Sequence, residues 1–189
     1  MVQKKTPTSP ETRPTKRTVG YVVLLVVCYF LLYLFAWRGM RFFLIPSTSM
    51  ERTLMQYDYI VTLNYGHPAR APRRLDIIVF MDPEDPEQYD VKRVIGLPGD
   101  EVAILPGAVF VNREVLYEPY VKEPPVYKYD PEVVPEDHYF VLGDNRNFSS
   151  DSSLWRRSVP RSDIVGRAVF IYGPISRMGR IRRPPEQVE

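Results

Sequence analysis

The chain has 189 residues, one cysteine and a formal net charge of only +2 at pH 7. This length allows a membrane segment and one domain of ordinary size. The single cysteine excludes a disulfide within the chain and a metal site built from cysteines, so the domain must be stabilised by packing alone. The small net charge gives no support for nucleic-acid binding.

Residues 1–18 form a polar segment that is rich in proline and threonine and carries five basic residues against one glutamate. Such a composition cannot bury enough apolar surface to fold. We therefore predict a disordered basic tail.

Residues 19–37 form an apolar run without any charged residue. As a helix the run would be roughly 28 Å long, close to the ~30 Å hydrocarbon core of a bilayer. A cleavable signal peptide is the alternative, but its apolar region is only about 7–15 residues long and leads to a small-residue cleavage site. This run is longer and leads into Arg38 and Arg41, which favours an uncleaved transmembrane helix. Basic residues are more numerous before the run than after it, which predicts a cytoplasmic N-terminus and a domain on the outer face of the membrane.

From residue 38 to residue 176 the chain consists of short apolar runs separated by proline, glycine and aspartate. Runs rich in Val, Ile, Tyr and Phe predict β-strands, and no amphipathic helix of useful length lies between them. The predicted strands are 57–63, 76–81, 91–95, 101–105, 108–112, 138–142 and 164–172. We expect a mainly β fold, in which a single N-terminal transmembrane helix precedes an all-β domain of coiled, barrel-like antiparallel sheets.

Turn-forming residues separate several of these strands, at 66–68, 82–86, 97–100 and 106–107. Residues 119–135 are rich in proline and tyrosine and are predicted to form a loop rather than a strand. Residues 177–189 are basic and then rich in proline and glutamate, and we expect a frayed C-terminal tail.

Residues 45–50 contain two serines, Ser47 and Ser49. Serines are common in loops, and a serine becomes a nucleophile only when a base activates it. Histidine is the usual base, but His67 lies in a predicted turn and His138 opens a predicted strand. Lysine is the known alternative partner for serine.

A lysine accepts a proton only as the neutral amine, which an apolar environment favours. Lys122 and Lys128 lie in the polar, proline-rich segment, whereas Lys92 lies in a predicted strand with apolar neighbours. Arg93 cannot be the base, because guanidinium keeps its proton in proteins. A lysine in a strand is nevertheless more often a snorkelling or ion-paired residue than a base, so composition alone leaves the role of Lys92 open.

Residues 143–152 place turn-formers, charges and hydroxyls directly after an apolar strand. The simplest interpretation is a tight loop held by side-chain hydrogen bonds to the backbone. A functional interpretation is that the loop supplies a hydroxyl that orients a neutral lysine and a charge pair that braces the loop.

Three stretches in this order resemble bacterial type I signal peptidases: 46–50 (PSTSM), 92–100 (KRVIGLPGD) and 143–147 (GDNRN), the last followed by Ser149 and Asp151. Residues 57–61 and 74–80 also fit the strands of that family, and the resemblance covers about residues 19 to 176. A single short motif would be weak, but the ordered set is specific. The resemblance implies a Ser–Lys serine protease whose catalytic domain is residues 38–176.

The resemblance also implies a role for each matching residue. Ser49 would be the nucleophile and Lys92 the general base, while the Ser47 hydroxyl and the Ser49 backbone N–H would form the oxyanion hole. Ser149 would orient the Lys92 amine. Loop bracing would involve Asp144, Arg146 and Asp151, and the shallow substrate pockets would be lined by Phe43, Ile45, Met50, Leu54 and Val91. No metal and no cofactor is implied.

The implied function is a membrane-bound endopeptidase that cleaves N-terminal signal peptides from exported preproteins after small residues, in the pattern Ala-x-Ala, through an acyl-enzyme. Such an enzyme would lie in the cytoplasmic (inner) membrane, with preproteins, the lipid bilayer and the secretion translocon as its partners and no nucleic acid. Two alternatives stay open. One is a specialised relative, such as a conjugative-transfer pilin peptidase or a mitochondrial or thylakoid processing peptidase, and the other is an inactive, membrane-tethered domain that binds peptides.

Two residues depart from the family pattern. Arg52 stands where the family usually has proline, in the turn after the nucleophile. Ser153 stands where the family usually has arginine, so Asp151 lacks its expected partner and Arg93 or Arg146 is the candidate substitute.

Overall fold

The computed structural model describes residues 16–37, 39–65 and 71–185. Contacts divide the chain into two units, Met1–Trp37 and Arg38–Glu189. Most of the predicted basic tail, the predicted turn at 66–68 together with His67, and residues 186–189 lie outside the described residues.

In the first unit the described residues form one helix, α1, Lys16–Trp37, of 22 residues. The helix begins at Lys16, three residues before the predicted apolar run, and so includes the last residues of the predicted basic tail. The large apolar side chains described from Val19 to Tyr33 are all exposed. Among the described residues, no helix was found that is both long and apolar enough to cross a membrane.

The second unit is mainly β, as predicted, and its strand pairs are antiparallel. In chain order its elements are β1 Met40–Leu44, β2 Tyr59–Leu63, β3 Ile77–Met81, β4 Tyr89–Gly96, β5 Glu101–Leu105, β6 Ala108–Val111, β7 Glu114–Val115, β8 Tyr129–Val133, β9 His138–Leu142, α2 Ser152–Trp155, β10 Val159–Pro160, β11 Ile164–Gly173 and β12 Gly179–Arg180. The larger sheet has eight strands in the order β1-β2-β11-β3-β4-β9-β10, with β12 also paired to β11. The smaller sheet has four strands in the order β7-β6-β5-β8.

The larger sheet is packed on both faces, which explains the continuous apolar sequence of β3. Alternate residues of a strand point to opposite faces. Ile77 and Val79 belong to an apolar cluster on one face, while Ile78 and Phe80 belong to a different cluster. A third cluster joins β4 and β9 to the smaller sheet. Lys92 and Arg93, on the interior strand β4, are therefore held by a rigid framework.

The strand predictions were largely confirmed, since every predicted strand overlaps a strand of the structure and 101–105 and 138–142 match in full. The loop prediction was wrong for β8, which lies inside residues 119–135. Proline is tolerated at sheet edges, and β8, which contains Pro131, is an edge strand of the smaller sheet. The short helix α2 was not predicted.

The expectation of a barrel-like domain was wrong, because the described strands form two open sheets rather than a closed barrel. The larger sheet ends at β1 on one side and at the two-residue strand β10 on the other. The predicted C-terminal tail, from residue 177, includes β12, so the folded sheet extends beyond residue 176.

Candidate active site

Ser49 lies in a short segment that follows β1 and is fixed by buried apolar side chains. Ile45, Met50 and Leu54 pack in the same cluster as the β3 residues Ile77 and Val79. Backbone hydrogen bonds from Glu51 N to Thr48 O (3.0 Å) and from Leu54 N to Met50 O (2.8 Å) close tight turns around the serine. Packing on both sides of the serine therefore fixes its position.

Lys92 projects from an interior strand of the larger sheet towards this segment. Its strand β4 is paired with β3 on one side and with β9 on the other. The buried Lys92 Nζ donates a hydrogen bond of 3.1 Å to Ser49 Oγ. The Ser47 and Ser49 hydroxyl oxygens are 3.2 Å apart. The structure therefore brings Ser47, Ser49 and Lys92 together, although 43 positions separate the serine and the lysine in the chain.

Asp90 is a site residue that the sequence analysis missed. Its Oδ2 lies 2.5 Å from Lys92 Nζ, and its Oδ1 accepts a hydrogen bond of 2.7 Å from the Val91 N–H. The available signal was the spacing, because residues i and i+2 of a strand project from the same face. By sequence alone, an aspartate directly before a predicted strand resembles an ordinary surface charge.

The loop after β9 donates hydrogen bonds to the backbone carbonyl groups of Thr48 and Ser49. Asn145 N donates to Ser49 O (2.9 Å), and Asn145 Nδ2 donates to Thr48 O (3.1 Å). A Cβ added at Gly143 would meet Ser49 O at 2.6 Å and would also clash with the Ser149 side chain. Glycine at position 143 therefore allows the loop to approach the serine segment closely.

The predicted hydrogen bond between Ser149 and Lys92 is not present in this structure. Ser149 Oγ is buried and has no hydrogen-bond partner among the described residues. The Lys92 amine donates instead to Ser49 and Asp90. Ser149 lies against Gly143, at the base of the loop that carries Asn145.

Asp144 braces the loop through Arg93, the residue after Lys92. Arg93 Nε and Nη2 donate to the two carboxylate oxygens of Asp144 at 2.8 and 2.6 Å, and Thr53 Oγ1 donates to Asp144 Oδ2 at 2.5 Å. Burial alone would lower the pKa of the Arg93 guanidinium, but the Asp144 carboxylate outweighs burial and raises this pKa above its ordinary value. Since Thr53 follows the serine segment, this pair links β4, the loop and the segment that carries Ser49.

Arg146 and Asp151 complete the loop with different partners. Arg146 forms two hydrogen bonds with the carboxylate of Glu118, at 2.6 and 2.5 Å. The expectation that Arg93 or Arg146 substitutes as the partner of Asp151 is wrong. Asp151 accepts hydrogen bonds from the Gly143 N–H (3.0 Å) and from the Ser153 hydroxyl (2.7 Å), so Ser153 itself satisfies the carboxylate.

Arg52, the other departure from the family pattern, has a backbone φ of +90°. Proline is fixed near φ of about −65° and could not adopt this conformation. The guanidinium of Arg52 donates to the Val121 carbonyl at 2.7 Å. The turn after Ser49 is therefore held by a side-chain contact in place of a proline ring.

A pocket lies beside Ser49 and Ser47. Four of the five predicted pocket residues line it, and Leu54 does not, because its side chain is fully buried in the core. The lining residues outside the serines are Phe43, Leu44, Ile45, Pro46, Met50, Tyr89, Asp90 and Val91. A larger cleft, lined by Asp82, His138 and Arg157 among others, contains neither Ser49 nor Lys92.

Two further observations concern other kinds of chemistry. His138 Nδ1 is 2.7 Å from the Glu136 carbonyl oxygen, so this ring contacts backbone and not a site serine. Among the described residues, no group of three or more His, Cys, Asp or Glu side chains could hold a metal ion. A serine hydroxyl in contact with a buried amine is the arrangement that supports nucleophilic catalysis.

Comparison with known proteins gives consistent results. Residues 15–173 match the family described as signal peptidase, peptidase S26. The chain is 44% identical to signal peptidase I of Leptolyngbya laminosa over 148 residues, which cover 75% of this chain and 72% of that protein. It is 44% identical to the probable signal peptidase I-2 of Synechocystis sp. over 149 residues, which cover 76% of this chain and 67% of that protein. It is 40% identical to the chloroplastic thylakoidal processing peptidase 1 of Arabidopsis thaliana over 144 residues, which cover 71% of this chain and 42% of that protein.

Proposed function

Because the chain belongs to the signal peptidase family, peptidase S26, we propose that it is an endopeptidase that cleaves N-terminal signal peptides from exported preproteins by means of Ser49 and Lys92. The observation that carries the proposal is the 3.1 Å hydrogen bond between Lys92 Nζ and Ser49 Oγ in a buried setting. Lysine can take the place of histidine as the base that activates a serine.

The proposed reaction is acyl transfer. The Lys92 amine, in its neutral form, accepts the proton of the Ser49 hydroxyl while Ser49 Oγ attacks the carbonyl carbon of the scissile peptide bond. The amine then gives this proton to the leaving nitrogen, and the signal peptide remains bound to Ser49 as an ester. Water, activated by the same amine, hydrolyses the ester and regenerates the serine.

The oxyanion of the tetrahedral intermediate would be bound by the Ser47 hydroxyl and the Ser49 backbone N–H. Support comes from the short distance between the Ser47 and Ser49 hydroxyl oxygens. It also comes from Asn145, which binds the Thr48 carbonyl and so fixes the peptide group that contains the Ser49 N–H. Fixed donors of this kind stabilise developing charge more effectively than mobile ones.

Small side chains before the cleavage site, in the pattern Ala-x-Ala, are the proposed specificity. The pocket beside Ser49 is lined by bulky side chains, among them Phe43, Met50 and Tyr89, which leave little room for a large substrate side chain. Ser149 is proposed to orient the lysine when the site rearranges around a substrate, because its hydroxyl is buried near Gly143 and has no other partner in the described part of the chain.

Residues 19–37 are proposed to anchor the enzyme in the cytoplasmic membrane, with the N-terminus cytoplasmic, the catalytic domain on the outer face and the secretion translocon nearby. This part of the proposal rests on the uncharged sequence and on the basic residues before it. It does not rest on the described residues, among which no spanning helix was found. A membrane-held enzyme would meet a membrane-inserted signal peptide in two dimensions instead of three.

A thylakoid processing peptidase is the second candidate, favoured by the 40% identity to the Arabidopsis enzyme. The chemistry would be the same, and the membrane and the substrates would differ. Side-by-side cleavage of a bacterial preprotein and a thylakoid lumenal precursor would separate the two candidates. An inactive peptide-binding domain is disfavoured, because Ser49 and Lys92 are both present and in contact.

The test is cleavage of a preprotein by the purified full-length chain, compared with the variants Ser49→Ala and Lys92→Ala. We expect both variants to lose cleavage and to keep the folded state, as judged by circular dichroism. Ser162→Ala and Lys128→Ala, which alter an exposed serine and an exposed lysine, are the matched controls and should cleave normally. Cleavage by Ser49→Ala at the wild-type rate would contradict the proposed function.

A further inference from the structure

Asp90 forms an ion pair with the lysine that the proposed mechanism uses as its base. Asp90 Oδ2 is 2.5 Å from Lys92 Nζ, closer than Ser49 Oγ at 3.1 Å. A carboxylate in contact with an amine favours the charged ammonium over the neutral amine. In this arrangement the amine that the proposed mechanism uses as the base is bound to a carboxylate.

The other charged groups around the site have partners of their own. Glu51 binds Lys122, Arg52 donates to the Val121 carbonyl, Arg93 binds Asp144, Arg146 binds Glu118, Asp58 binds Arg177, and His138 contacts the Glu136 carbonyl. The apolar strand β3, paired with β4 beside Lys92, contains no ionisable residue. Tyr89 packs edge-on against the ring of Phe43. Asp90 is therefore the charge that acts on the Lys92 amine.

The Asp90 side chain is partly exposed and can therefore turn away from the lysine towards solvent. Its side chain is 20% exposed, whereas that of Lys92 is 3% exposed. It lines the pocket beside Ser49, together with Phe43 and Tyr89. A peptide that fills this pocket would therefore lie next to both the Asp90 side chain and Ser49.

We infer that Asp90 is a charge lock on Lys92, which keeps the enzyme inactive until a peptide fills the pocket beside Ser49. This inference rests on the proposed function and adds a form of control to it. When the peptide fills the pocket, the Asp90 carboxylate moves away from Nζ towards solvent. The ammonium then loses one proton to water, and the neutral amine accepts the Ser49 hydroxyl proton as Oγ bonds to the carbonyl carbon.

The lock predicts a specific change in the pH profile of cleavage. Asp90→Asn keeps the shape of the side chain and removes its charge. We expect the acid-side limb of the kcat/KM profile to move to lower pH, so that the variant cleaves faster than the wild type at pH values below the limb. Asp90→Ser should move the limb in the same direction, and Asp90→Glu, which keeps the carboxylate, should leave it near the wild-type position.

The chain offers a matched control in a second Asp–Lys pair with the same spacing. Asp130 and Lys128 are 2.6 Å apart, but both side chains are mostly exposed. Asp130→Asn should leave the pH profile unchanged. The lock is overturned if Asp90→Asn and Asp90→Ser fold, by their thermal melting curves, and show an unmoved limb or a lower kcat/KM at every pH.

Failure of the lock can be distinguished from failure of the proposed function. Ser49→Ala and Lys92→Ala are measured alone and in the Asp90→Asn background. If either retains cleavage, the Ser–Lys assignment fails whatever Asp90 does. If all four are inactive and the limb of Asp90→Asn does not move, the Ser–Lys assignment stands and only the lock is wrong.

Discussion

Lys92 and Arg93 are neighbours on β4, and each is paired with an aspartate, but the two ion pairs are built differently. Arg93 binds both carboxylate oxygens of Asp144, and the side chains of this pair are 1% and 0% exposed. Its remaining contacts are the Leu75 carbonyl, the Thr53 hydroxyl and the face of the Tyr120 ring. Lys92 binds one oxygen of Asp90, at the edge of a pocket, and shares its amine with Ser49.

The difference shows how one strand can serve two purposes. Successive residues of a strand point to opposite faces, so the Lys92 side chain reaches Ser49 and Asp90 while the Arg93 side chain reaches Asp144. A buried ion pair in which every guanidinium nitrogen donates a hydrogen bond can hold a fixed geometry, whereas a partly exposed pair joined by one contact can open. The Arg93–Asp144 pair thus fixes the loop and the serine segment, while the Lys92–Asp90 pair beside them can change.

Replacing the lysine by arginine and the arginine by lysine tests whether the two pairs have different roles, and it has the largest expected effect. Lys92→Arg keeps the positive charge but introduces a group that cannot act as a base, so we expect kcat/KM for preprotein cleavage to fall on the order of 10⁴-fold or more. Arg93→Lys should keep measurable cleavage and lose stability, because one ammonium cannot replace two parallel hydrogen bonds to Asp144. Cleavage kinetics and urea unfolding of both variants provide the measurements. Substantial activity in Lys92→Arg would mean that Lys92 is not the general base.

Removal of the two carboxylates should separate the pairs by stability. Asp144→Ala leaves the Arg93 charge buried without a partner, and we expect the free energy of unfolding to fall by about 3–5 kcal/mol. Asp90→Ala leaves Lys92 next to a partly exposed pocket, and we expect a much smaller loss. Urea unfolding monitored by fluorescence measures both changes. Equal destabilisation by the two substitutions would show that the pairs are structurally equivalent.

The sequence could predict much of this arrangement, and the limits have physical causes. Ser49 and Lys92 were identified from ordered motifs, and the structure places them in contact, while their catalytic roles remain proposals. Strand β8 was missed because it contains a proline and two acidic residues, and only Tyr129 of its five residues is buried. Such a strand lacks the apolar pattern from which strands are predicted. Asp90 and the bond from Thr53 to Asp144 were missed because side-chain pairing across a fold leaves no local pattern.

A smaller effect is expected where the loop after β9 touches the serine segment. Gly143→Ala would place a methyl group 2.6 Å from the Ser49 carbonyl oxygen and against Ser149. Displacement of the nucleophile by even about 1 Å can lower activity about 10²-fold, and we expect a loss of this size in kcat. Gly179→Ala is the matched control, because its new methyl group would meet nothing closer than 4.0 Å. If Gly143→Ala cleaves like the control, the loop can shift without disturbing Ser49.

The smallest expected effect concerns Asn145, whose side chain donates 3.1 Å to the Thr48 carbonyl. This hydrogen bond fixes the peptide group whose N–H is the proposed oxyanion donor, so its loss should loosen the donor and leave the pocket unchanged. One hydrogen bond contributes about 0.5–1.5 kcal/mol, and we expect Asn145→Ala to lower kcat about 3- to 10-fold with KM unchanged. Asn147→Ala removes an amide of the same loop that donates 3.1 Å to the Pro124 carbonyl, away from Ser49, and should not alter kcat. A rise in KM at constant kcat would instead make Asn145 part of the substrate-binding surface, and equal effects of both substitutions would indicate a general loosening of the loop.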